Sequence, residues 1–389
     1  MELSSSKDFF SHLVKLRRSF HAEPELAYEE VKTAQKIIQE LNALQLPYEY
    51  SGPGSGVVAR LKTTNPDAPT IALRAEMDAL PLEEKTGLSF ASQHDGCMHA
   101  CGHDAHMAII LGAARLLANS PPPGNVIFVF QPAEEKGAGA KRILATGALE
   151  GVEAIFAGHV TQHYRLGEMM ISNGVITAQS DRFKVNIHGK GGHGARPHEA
   201  IDAIIIAGLF ISAIQTLVSR EINPFHPSVV SIGQMKGGSA PNVIAENVLL
   251  EGTIRTTLPE VRQHIFKGLK RMAKAMGELY NAVIELEISH GYPPVINTDK
   301  ETVLALEAAK DMIGSNNLVA MDYPSMGGED FSYYLQKIPG CFVRFGTRTP
   351  GKEYTPLHSP SFDINEKVLL IGSQYFDHLA RRAMRHGKK

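Results

Sequence analysis

The stretch Val126-Ile127-Phe128-Val129-Phe130 runs directly into Gln131-Pro132-Ala133-Glu134-Glu135. An almost continuous apolar run of this length predicts a strand whose two faces are both covered by other elements. Two acidic residues follow where the strand ends. The stretch therefore predicts a buried sheet and marks one edge of that sheet as a place for polar chemistry.

Short strands alternate with helices on either side of this stretch. Such alternation predicts an α/β sheet with helices on both faces. The predicted strands are Val57–Leu61, Ile71–Arg74, Ala154–Ala157 and Phe342–Phe345, and the predicted helices are Asp8–Ser19, Glu29–Leu44, Ala105–Asn119 and Lys141–Leu149.

Residues 181–290 follow a different order, β-α-β-β-α-β, which is the ferredoxin-like arrangement. Thr257, with Glu260 three residues on, is typical of a capping box at the start of the second helix. We therefore predict an α/β domain, 1–179 and 294–389, interrupted by an inserted α+β domain, 180–293. The predicted elements of the insertion are Arg182–His188, Ala200–Val218, Ser228–Gln234, Val248–Arg255, Leu258–Leu279 and Ala282–Ser289.

The bulk composition is that of an ordinary globular protein. A net charge of -2 over 389 residues gives no long-range attraction to nucleic acid or to an anionic membrane, so we expect neither as a partner. Three cysteines are too few for a disulfide framework and indicate a reducing, cytoplasmic location. Met1–Phe10 lacks the apolar segment of a secretory signal. The longest apolar run, Ala203–Ile214, is shorter than the roughly 20 residues that span a bilayer and predicts a buried helix.

Histidines concentrate in one short stretch, which includes His94, His99, His103 and His106. Within Met98–His106, Cys101 and His103 are spaced so that both can reach one metal ion. Thiolate and imidazole ligands suit zinc and its neighbours in the transition series. The alternative interpretation is a helix start in which His103 and Asp104 are ordinary first-turn residues.

Four predicted strands carry a carboxylate or an imidazole just beyond their carboxyl ends. Ligands of open α/β sheets bind at that edge. The side chains concerned are those of Glu76 and Asp78, Glu134 and Glu135, His159, and, after a longer loop, His358.

The adjacent residues Glu134 and Glu135 fit a metal-assisted hydrolysis. One carboxylate can ligate a cation, and the other can take the proton of a water molecule whose pKa the cation lowers. The alternative interpretation is a solvated helix N-terminus, where acidic side chains favour the helix dipole.

These segments together resemble the aminoacylase/amidohydrolase family, which includes indole-3-acetyl-amino-acid hydrolases, hippurate hydrolases and N-acetyl-diaminopimelate deacetylases. The resemblance covers nearly the whole chain. It is carried by Arg18-Ser19-Phe20-His21, Pro24-Glu25-Leu26, Ala72–Pro81, Met98–His106, Gln131–Glu135, Gly158-His159-Val160, Gly189–Ala195, Gly328-Glu329-Asp330-Phe331 and Leu357-His358-Ser359-Pro360.

The resemblance implies two divalent metals in the larger domain and an inserted domain that serves as lid and dimerisation domain of a homodimer. It implies Glu134 as the general base, and later as the acid that protonates the leaving amine, with Asp78 orienting the metal site. Zinc and manganese are the first candidates, and cobalt and nickel remain possible. The implied metal ligands are Cys101, His103, Glu135, His159 and His358.

The inserted domain contributes three further candidates. His193 lies in a glycine-rich turn that permits close backbone approach. In similar proteins this histidine reaches the active site of the partner subunit and stabilises the oxyanion. Asn242 and Arg255 resemble residues that bind the substrate carboxylate, to which the arginine fork is matched. The alternatives are a turn asparagine and a surface arginine.

The chain departs from the family pattern at three places. Glu76 stands where the family commonly has Asp. The loop expected after Val160 reads Thr161-Gln162-His163-Tyr164-Arg165 and lacks the usual proline, so substrate preference is expected to differ. Cys97 is an unusual neighbour of the metal stretch, and we expect no disulfide between it and Cys101.

The sequence predicts hydrolysis of small N-acyl amino acids and leaves other functions open. A dipeptidase or carboxypeptidase would use nearly the same site. A phosphoesterase is disfavoured because such two-metal sites are richer in Asp. A non-catalytic metal- or amino-acid-binding protein is disfavoured because Glu134, Asp78 and all five ligands are present. A phosphate loop at Gly189–Gly194 is excluded because the Lys-Ser/Thr pair is missing.

Overall fold

The computed structural model describes residues 7–65 and 67–385. Contacts between residues divide the chain into two compact units, each with its own hydrophobic core. Unit 1 comprises Met1–Ile176, Val295–Tyr323 and Asp330–Lys389, and unit 2 comprises Thr177–Pro294 and Pro324–Glu329. The domain bounds inferred from sequence, 180–293 for the insertion, stay a prediction.

The elements are numbered here in chain order. The helices are α1 (Lys7–Ala22), α2 (Val31–Ala43), α3 (His103–Asn119), α4 (Glu134–Gly137), α5 (Gly139–Ala145), α6 (Ala203–Glu221), α7 (Pro259–Tyr280), α8 (Asp299–Ile313), α9 (Ser332–Leu335) and α10 (Lys367–Arg385). The strands are β1 (Tyr48–Glu49), β2 (Val57–Leu61), β3 (Thr70–Glu76), β4 (Asn125–Gln131), β5 (Ala154–Arg165), β6 (Met169–Met170), β7 (Gly174–Val175), β8 (Gln179–His188), β9 (Gly192–His193), β10 (Ser228–Gly237), β11 (Val243–Ile244), β12 (Asn247–Thr256), β13 (Val283–His290), β14 (Ile296–Asn297), β15 (Leu318–Val319) and β16 (Gly340–Arg348). Within residues 7–65 and 67–385, 3-10 helices span Pro197–Glu199 and Ser315–Asn317.

Unit 1 is built on an eight-stranded sheet in the order β1-β2-β4-β3-β5-β16-β6-β15. Its four central strands, β4, β3, β5 and β16, run parallel to one another. Phe128 on β4 faces a core shared with α1, α3 and α10, whereas its neighbours Ile127 and Val129 face a second core on the other side, shared with α5 and α9. Burial on both faces explains the unbroken apolar run, and it confirms the predicted α/β sheet.

Unit 2 contains a four-stranded antiparallel sheet in the order β10-β12-β8-β13. Along β8, alternate residues Phe183, Val185 and Ile187 are buried against α6 and α7. With the chain order β8-α6-β10-β12-α7-β13, this is the predicted ferredoxin-like arrangement. The fold class is thus confirmed: an α/β domain that carries an inserted α+β domain.

The predicted capping box at the start of α7 is wrong. The helix begins at Pro259, its N-cap is Leu258, and no side chain caps it. The side chain of Leu258 has no oxygen that could accept from the first-turn N–H groups, and Pro259 suits the first helical position because it has no N–H to satisfy there.

Helix α6 differs from the prediction of a buried helix. Among the described residues it alone is long and apolar enough, by length and composition, to cross a membrane, which is weak evidence because core helices pass the same test. Phe210 and Ile214 are fully buried in the core of unit 2, whereas Ile204, Ile205 and Leu209 are 39%, 57% and 43% exposed. One face of α6 therefore packs in the core of unit 2, and the opposite face is exposed.

Candidate metal and catalytic site

The candidate residues of unit 1 lie at the carboxyl edge of the central sheet. Because β3, β4, β5 and β16 are parallel, their carboxyl ends meet at one edge, as predicted. Asp78 follows β3 by two residues and Glu134 and Glu135 form the first turn of α4 after β4. His159 lies within β5, and His358 follows β16 in a loop.

The segment Cys101–His103 makes a tight turn into α3. Gly102 has φ 90°, and a Cβ there would lie 2.3 Å from Cγ2 of Val160. Only glycine allows both the left-handed backbone and this approach to β5. The N–H of His358 donates to the carbonyl of Ala100 at 2.9 Å, which ties the loop after β16 to the same turn.

Asp78 connects three of these segments. Its two carboxylate oxygens accept hydrogen bonds from the N–H groups of Glu134 and Glu135 at 3.0 and 2.9 Å. His103 donates from Nδ1 to the backbone oxygen of Asp78 at 2.8 Å. Burial would raise the pKa of Asp78, but His103 and the two N–H groups outweigh burial and lower it. The carboxylate is therefore ionised and holds the start of α4.

Five predicted ligands form two overlapping groups. Within each group the ligand atoms lie within 4.8 Å of one another. One group is Cys101, His103 and His159, and the other is Cys101, Glu135 and His358. Cys101 belongs to both groups, and its Sγ lies 3.3 Å from Nε2 of His159. The arrangement provides donors for two neighbouring cations.

The unpaired atoms of these groups fit a pair of cations. Nε2 of His103 and Oε1 of Glu135 are buried without a hydrogen-bond partner among the described residues. Oε1 of Glu135 lies 3.3 Å from Nε2 of His358, close enough for an ion pair but without hydrogen-bond geometry. Thiolate, imidazole and carboxylate together form a ligand set that suits zinc and related divalent ions.

The electrostatics of Cys101 and His159 agree with that fit. Burial, followed by the carboxylates of Glu135 and Glu134, raises the pKa of the Cys101 thiol well above its usual range. A cation would offset both effects and favour the thiolate. Burial lowers the pKa of His159 well below its usual value, so the ring is neutral and can ligate.

Glu134 is not a solvated helix-terminal residue. It is 5% exposed, and its Oε1 accepts a hydrogen bond from the N–H of Asp330 at 3.4 Å. Its carboxylate forms a third compact group with His103 and Glu135. The buried position beside the candidate ligands suits a general base.

A buried charge network beside the site was not predicted. Arg74 on β3 forms ion pairs with Glu76 and Asp330 and donates to Gln131, and these side chains are at most 1% exposed. Glu76 also accepts a hydrogen bond from Nδ1 of His106 at 2.8 Å. The ligand atoms of Glu76, His103 and His106 also lie close enough together to hold a metal ion. The carboxylate oxygens of Glu76, however, already contact Arg74 and His106.

The sequence contained part of the information needed to predict this network. His106 follows His103 by three residues, which places both on one face of a helix. Asp330 belongs to a quoted family segment, although no role was assigned to it. Its carboxylate accepts hydrogen bonds from Gln131, Arg74 and the N–H of Ala140.

In unit 2, His193 and Asn242 lie side by side. His193 on β9 pairs with Val243 on β11, and the carbonyl of Asn242 accepts from the N–H of Gly194 at 2.8 Å. Nδ1 of His193 accepts a hydrogen bond from the N–H of Ala195 at 3.0 Å, so a neutral ring carries its proton on Nε2. The exposed Nε2–H is a donor, as an oxyanion-binding role requires.

Arg255 lies on β12 and is partly buried. Within the described ranges, 7–65 and 67–385, no ion pair involves its guanidinium. A Cβ on Gly328, also in unit 2, would lie 3.2 Å from its Nη1. Burial, and then the neighbouring Arg182, lowers the pKa of Arg255. A partly buried cation of this kind suits a carboxylate better than a fully exposed arginine would.

The departures from the family pattern have distinct structural outcomes. The segment Thr161–Arg165 is not a loop, because β5 continues through Arg165 and pairs with β16 as far as Arg348. Cys97 and Cys101 are both free and buried, as expected.

The comparisons with known proteins cover nearly the whole chain. The model of Peptidase family M20/M25/M40 matches residues 72–382. An N-acetylcysteine deacetylase of Bacillus subtilis is 41% identical over 97% of this chain and 98% of its own length. An IAA-amino acid hydrolase, ILR1-like 5, of Arabidopsis thaliana is 39% identical over 98% of this chain and 89% of its own. Thermostable carboxypeptidase 1 of Saccharolobus solfataricus is 37% identical over 93% and 92%.

A solved structure shares the fold. The YXEP protein of Bacillus subtilis, described as a dinuclear metal binding peptidase from the M20 family, aligns with a TM-score of 0.85 and 38% identity. The alignment covers 98% of this chain and 99% of that one.

Glu30 supports the turn before Glu134 at an electrostatic cost. It is 1% exposed, and its Oε1 accepts a hydrogen bond from the N–H of Ala133 at 2.8 Å. In the part of the chain that the structure describes, its Oε2 has no hydrogen-bond partner. Burial, together with the nearby charge of Asp78, raises the pKa of Glu30 from 4.5 to about 7. The unfolded chain loses this proton at lower pH than the folded chain, so the contribution of Glu30 to stability falls as pH rises from about 4.5 to about 7.

We predict that Glu30→Gln removes this pH dependence. The amide still accepts from Ala133 but cannot ionise. The thermal unfolding midpoint of the variant should match that of the wild type near pH 5 and exceed it by several degrees near pH 8, as calorimetry would measure. The prediction would be contradicted if the difference between the two unfolding midpoints stayed constant across this pH range or became smaller as the pH rises.

Proposed function

The chain belongs to the peptidase family M20/M25/M40, and from this premise we propose that it hydrolyses the amide bond of N-acyl amino acids with the help of two divalent cations. The observation that carries the proposal is the pair of overlapping ligand groups that share Cys101 and lie beside the buried Glu134. The deacetylase and the IAA-amino acid hydrolase among its relatives support the substrate class.

Two cations held by the five predicted ligands would lower the pKa of a water molecule and polarise the acyl carbonyl. Zinc and manganese are the proposed metals, with cobalt and nickel as alternatives, because a thiolate with imidazoles and carboxylates accepts each of them. The description of the YXEP protein as dinuclear supports the number of cations.

Glu134 is the proton carrier of the proposed reaction. Its carboxylate takes the proton of the attacking water as the oxygen adds to the acyl carbon. It then gives that proton to the amine nitrogen as the carbon–nitrogen bond breaks. Asp78 contributes indirectly, because its two hydrogen bonds to the first turn of α4 fix where Glu134 and Glu135 begin.

The residues of unit 2 are proposed to bind the substrate. Arg255 is partly buried, and its guanidinium forms no salt bridge with any residue that the structure describes, so it is suited to the carboxylate of the amino-acid part. Asn242 is proposed to assist it. His193, supplied by the second subunit of a homodimer, would donate through Nε2–H to the developing oxyanion.

A homodimer formed through unit 2 is part of the proposal. Strand β10 is an edge strand of its sheet, and α6 packs beside it. Val229 and Met235 on β10 are 40% and 44% exposed, and Ile204, Ile205 and Leu209 on α6 are exposed as well. An unpaired edge beside an apolar face is self-complementary, since two copies can pair their edges across a twofold axis. A cytoplasmic location, which the free cysteines favour, completes the proposal.

A carboxypeptidase or dipeptidase is the second candidate. The specific support is the carboxypeptidase of Saccharolobus solfataricus, which matches almost the full chain. The two functions differ in whether the acyl side of the substrate carries a free amine.

We expect release of free amino acid from N-acetyl, N-benzoyl or indole-acetyl amino acids, and little release from dipeptides. The panel would be run with chelator-treated protein, with and without added manganese or zinc. Metal-dependent hydrolysis of the acyl substrates supports the proposal. Hydrolysis of dipeptides alone would favour the second candidate function, a carboxypeptidase or dipeptidase. Inactivity with both cations bound would favour a binding protein.

Glu134→Gln should reduce turnover by about 10²- to 10⁴-fold, since a general base contributes that much. The content of bound metal, measured by elemental analysis, should stay at the wild-type level. Glu153→Gln, at an exposed glutamate of the same unit, is the matched control and should keep full activity. Substantial turnover by the Glu134 variant would remove it as the base.

Ile205→Glu on the open face of α6 should convert the dimer to a monomer, because a charge there opposes burial of the face. Light scattering after size exclusion measures the mass. Leu279→Glu, at a residue of α7 that is 72% exposed, is the control and should stay dimeric. Turnover should fall as the fraction of dimer falls, because a monomer has no second subunit to supply His193. A wild-type monomer with full activity refutes this part.

A further inference from the structure

His106 has a fixed protonation state because both of its ring nitrogens are engaged. Nε2 lies 2.9 Å from the backbone nitrogen of Val160, and Nδ1 lies 2.8 Å from Oε2 of Glu76. The N–H of Val160 can only donate, so Nε2 must accept. The ring proton is therefore on Nδ1 and is donated to Glu76, and the imidazole is neutral.

The same residue, Val160, fixes the ring of the preceding His159. Nδ1 of His159 lies 2.7 Å from the carbonyl oxygen of Val160, which can only accept. The proton of His159 is therefore on Nδ1, and its Nε2 presents a lone pair towards Sγ of Cys101, 3.3 Å away. The backbone of Val160 thus contacts both rings, with its N–H on His106 and its carbonyl on His159.

The surroundings of Val160 allow little movement. The rings of His106 and His159 pack edge to face with centroids 4.6 Å apart. The side chain of Val160 is fully buried and lies against Gly102. A shift of Val160 would therefore displace His159 and press on the turn that carries Cys101.

Glu76 anchors the far end of this chain of contacts. It is 1% exposed and forms an ion pair with Arg74, whose guanidinium also binds Asp330 and Gln131. A carboxylate held in this way has one good orientation towards His106. Its negative charge keeps the ring proton on Nδ1 and makes Nε2 a better acceptor for the N–H of Val160.

We propose that His106 and Glu76 are a positioning pair for His159: they hold the backbone of Val160 and so fix the orientation and tautomer in which His159 ligates a cation. The proposal rests on the proposed role of His159 as a ligand. Because both ring nitrogens of His106 and both carboxylate oxygens of Glu76 are hydrogen-bonded, we assign neither residue as a ligand of the cation. Their loss should therefore weaken the binding of one cation rather than the chemical step.

The test is a cation titration of chelator-treated protein with Co²⁺, followed by calorimetry and by visible absorption. Wild type should bind two ions per chain. In His106→Leu, which removes both hydrogen bonds, one ion should bind about 10- to 100-fold more weakly, the usual effect of losing a residue that orients a ligand. The other ion should bind within about threefold of wild type, and the absorption of the weakened site should change.

Two further variants separate positioning from packing. His106→Gln can still accept from Val160 and donate to Glu76, so it should recover most of the lost affinity. Glu76→Gln keeps an acceptor for Nδ1 but loses the charge, so it should weaken the same ion. At saturating Co²⁺ all three variants should turn over within about threefold of wild type. His12→Leu is the matched control, since His12 pairs with Glu40 away from the site and should leave both affinities unchanged.

The outcomes decide between the possibilities. Wild-type affinities for both ions in His106→Leu would overturn the proposal, as would equal weakening of both ions, which indicates general damage to the fold. Reduced turnover at saturating Co²⁺ with unchanged affinities would also overturn it. If His106→Leu does not fold, Glu76→Gln gives the same decision, because it should weaken the same ion. Wild type that binds no Co²⁺ refutes the proposed function itself, and the inference with it.

Discussion

The carboxylate of Asp78 is the constraint on which the rest of the site depends. It accepts the N–H groups of Glu134 and Glu135, while its backbone oxygen accepts from His103. The first turn of a helix has N–H groups without intrahelical partners, and a carboxylate there satisfies two of them and favours the helix dipole. One side chain after β3 therefore sets the start of α4, the direction of its two glutamates and the tautomer of His103.

Buried ion pairs extend this control to more distant segments. Arg17, 1% exposed, binds Asp104 at the start of α3 and also Asp363, five residues beyond His358. Arg74 joins Glu76 on its own strand to Asp330 in the same manner. Burying charged side chains costs free energy, and proteins in which hydrophobic residues replace a buried ion pair are often as stable. We therefore explain these pairs by the positions in which they hold their segments rather than by a gain in stability.

The sequence predicted those parts of the fold that depend on local pattern. The apolar run 126–130 and the order of elements in 181–290 each encode burial through their spacing, and both predictions were right. The network around Arg74 was not predictable, because Asp330 is 256 residues away along the chain and no periodicity reports such a contact. The segment after Val160 was wrongly predicted as a loop because its strand conformation comes from pairing with β16, which lies far along the chain. The candidate ligands could be named from family resemblance, whereas their tautomers required the hydrogen bonds.

Charge balance gives a physical reason for cations at this edge of the sheet. Among the described residues of unit 1, the carboxylates of Glu76, Asp78, Glu134, Glu135 and Asp330 gather there, and Arg74 pairs with two of them. Burial lowers the pKa of His103, but the side chain of Asp78, whose Oδ1 lies 3.6 Å from Nδ1, and the charge of Glu76 outweigh burial and raise that pKa to about 10. The site thus attracts positive charge strongly enough to hold a proton on a buried imidazole. A pair of dications would supply that charge, release the proton and leave His103 as a neutral ligand, which is how metal binding and ligand deprotonation are coupled.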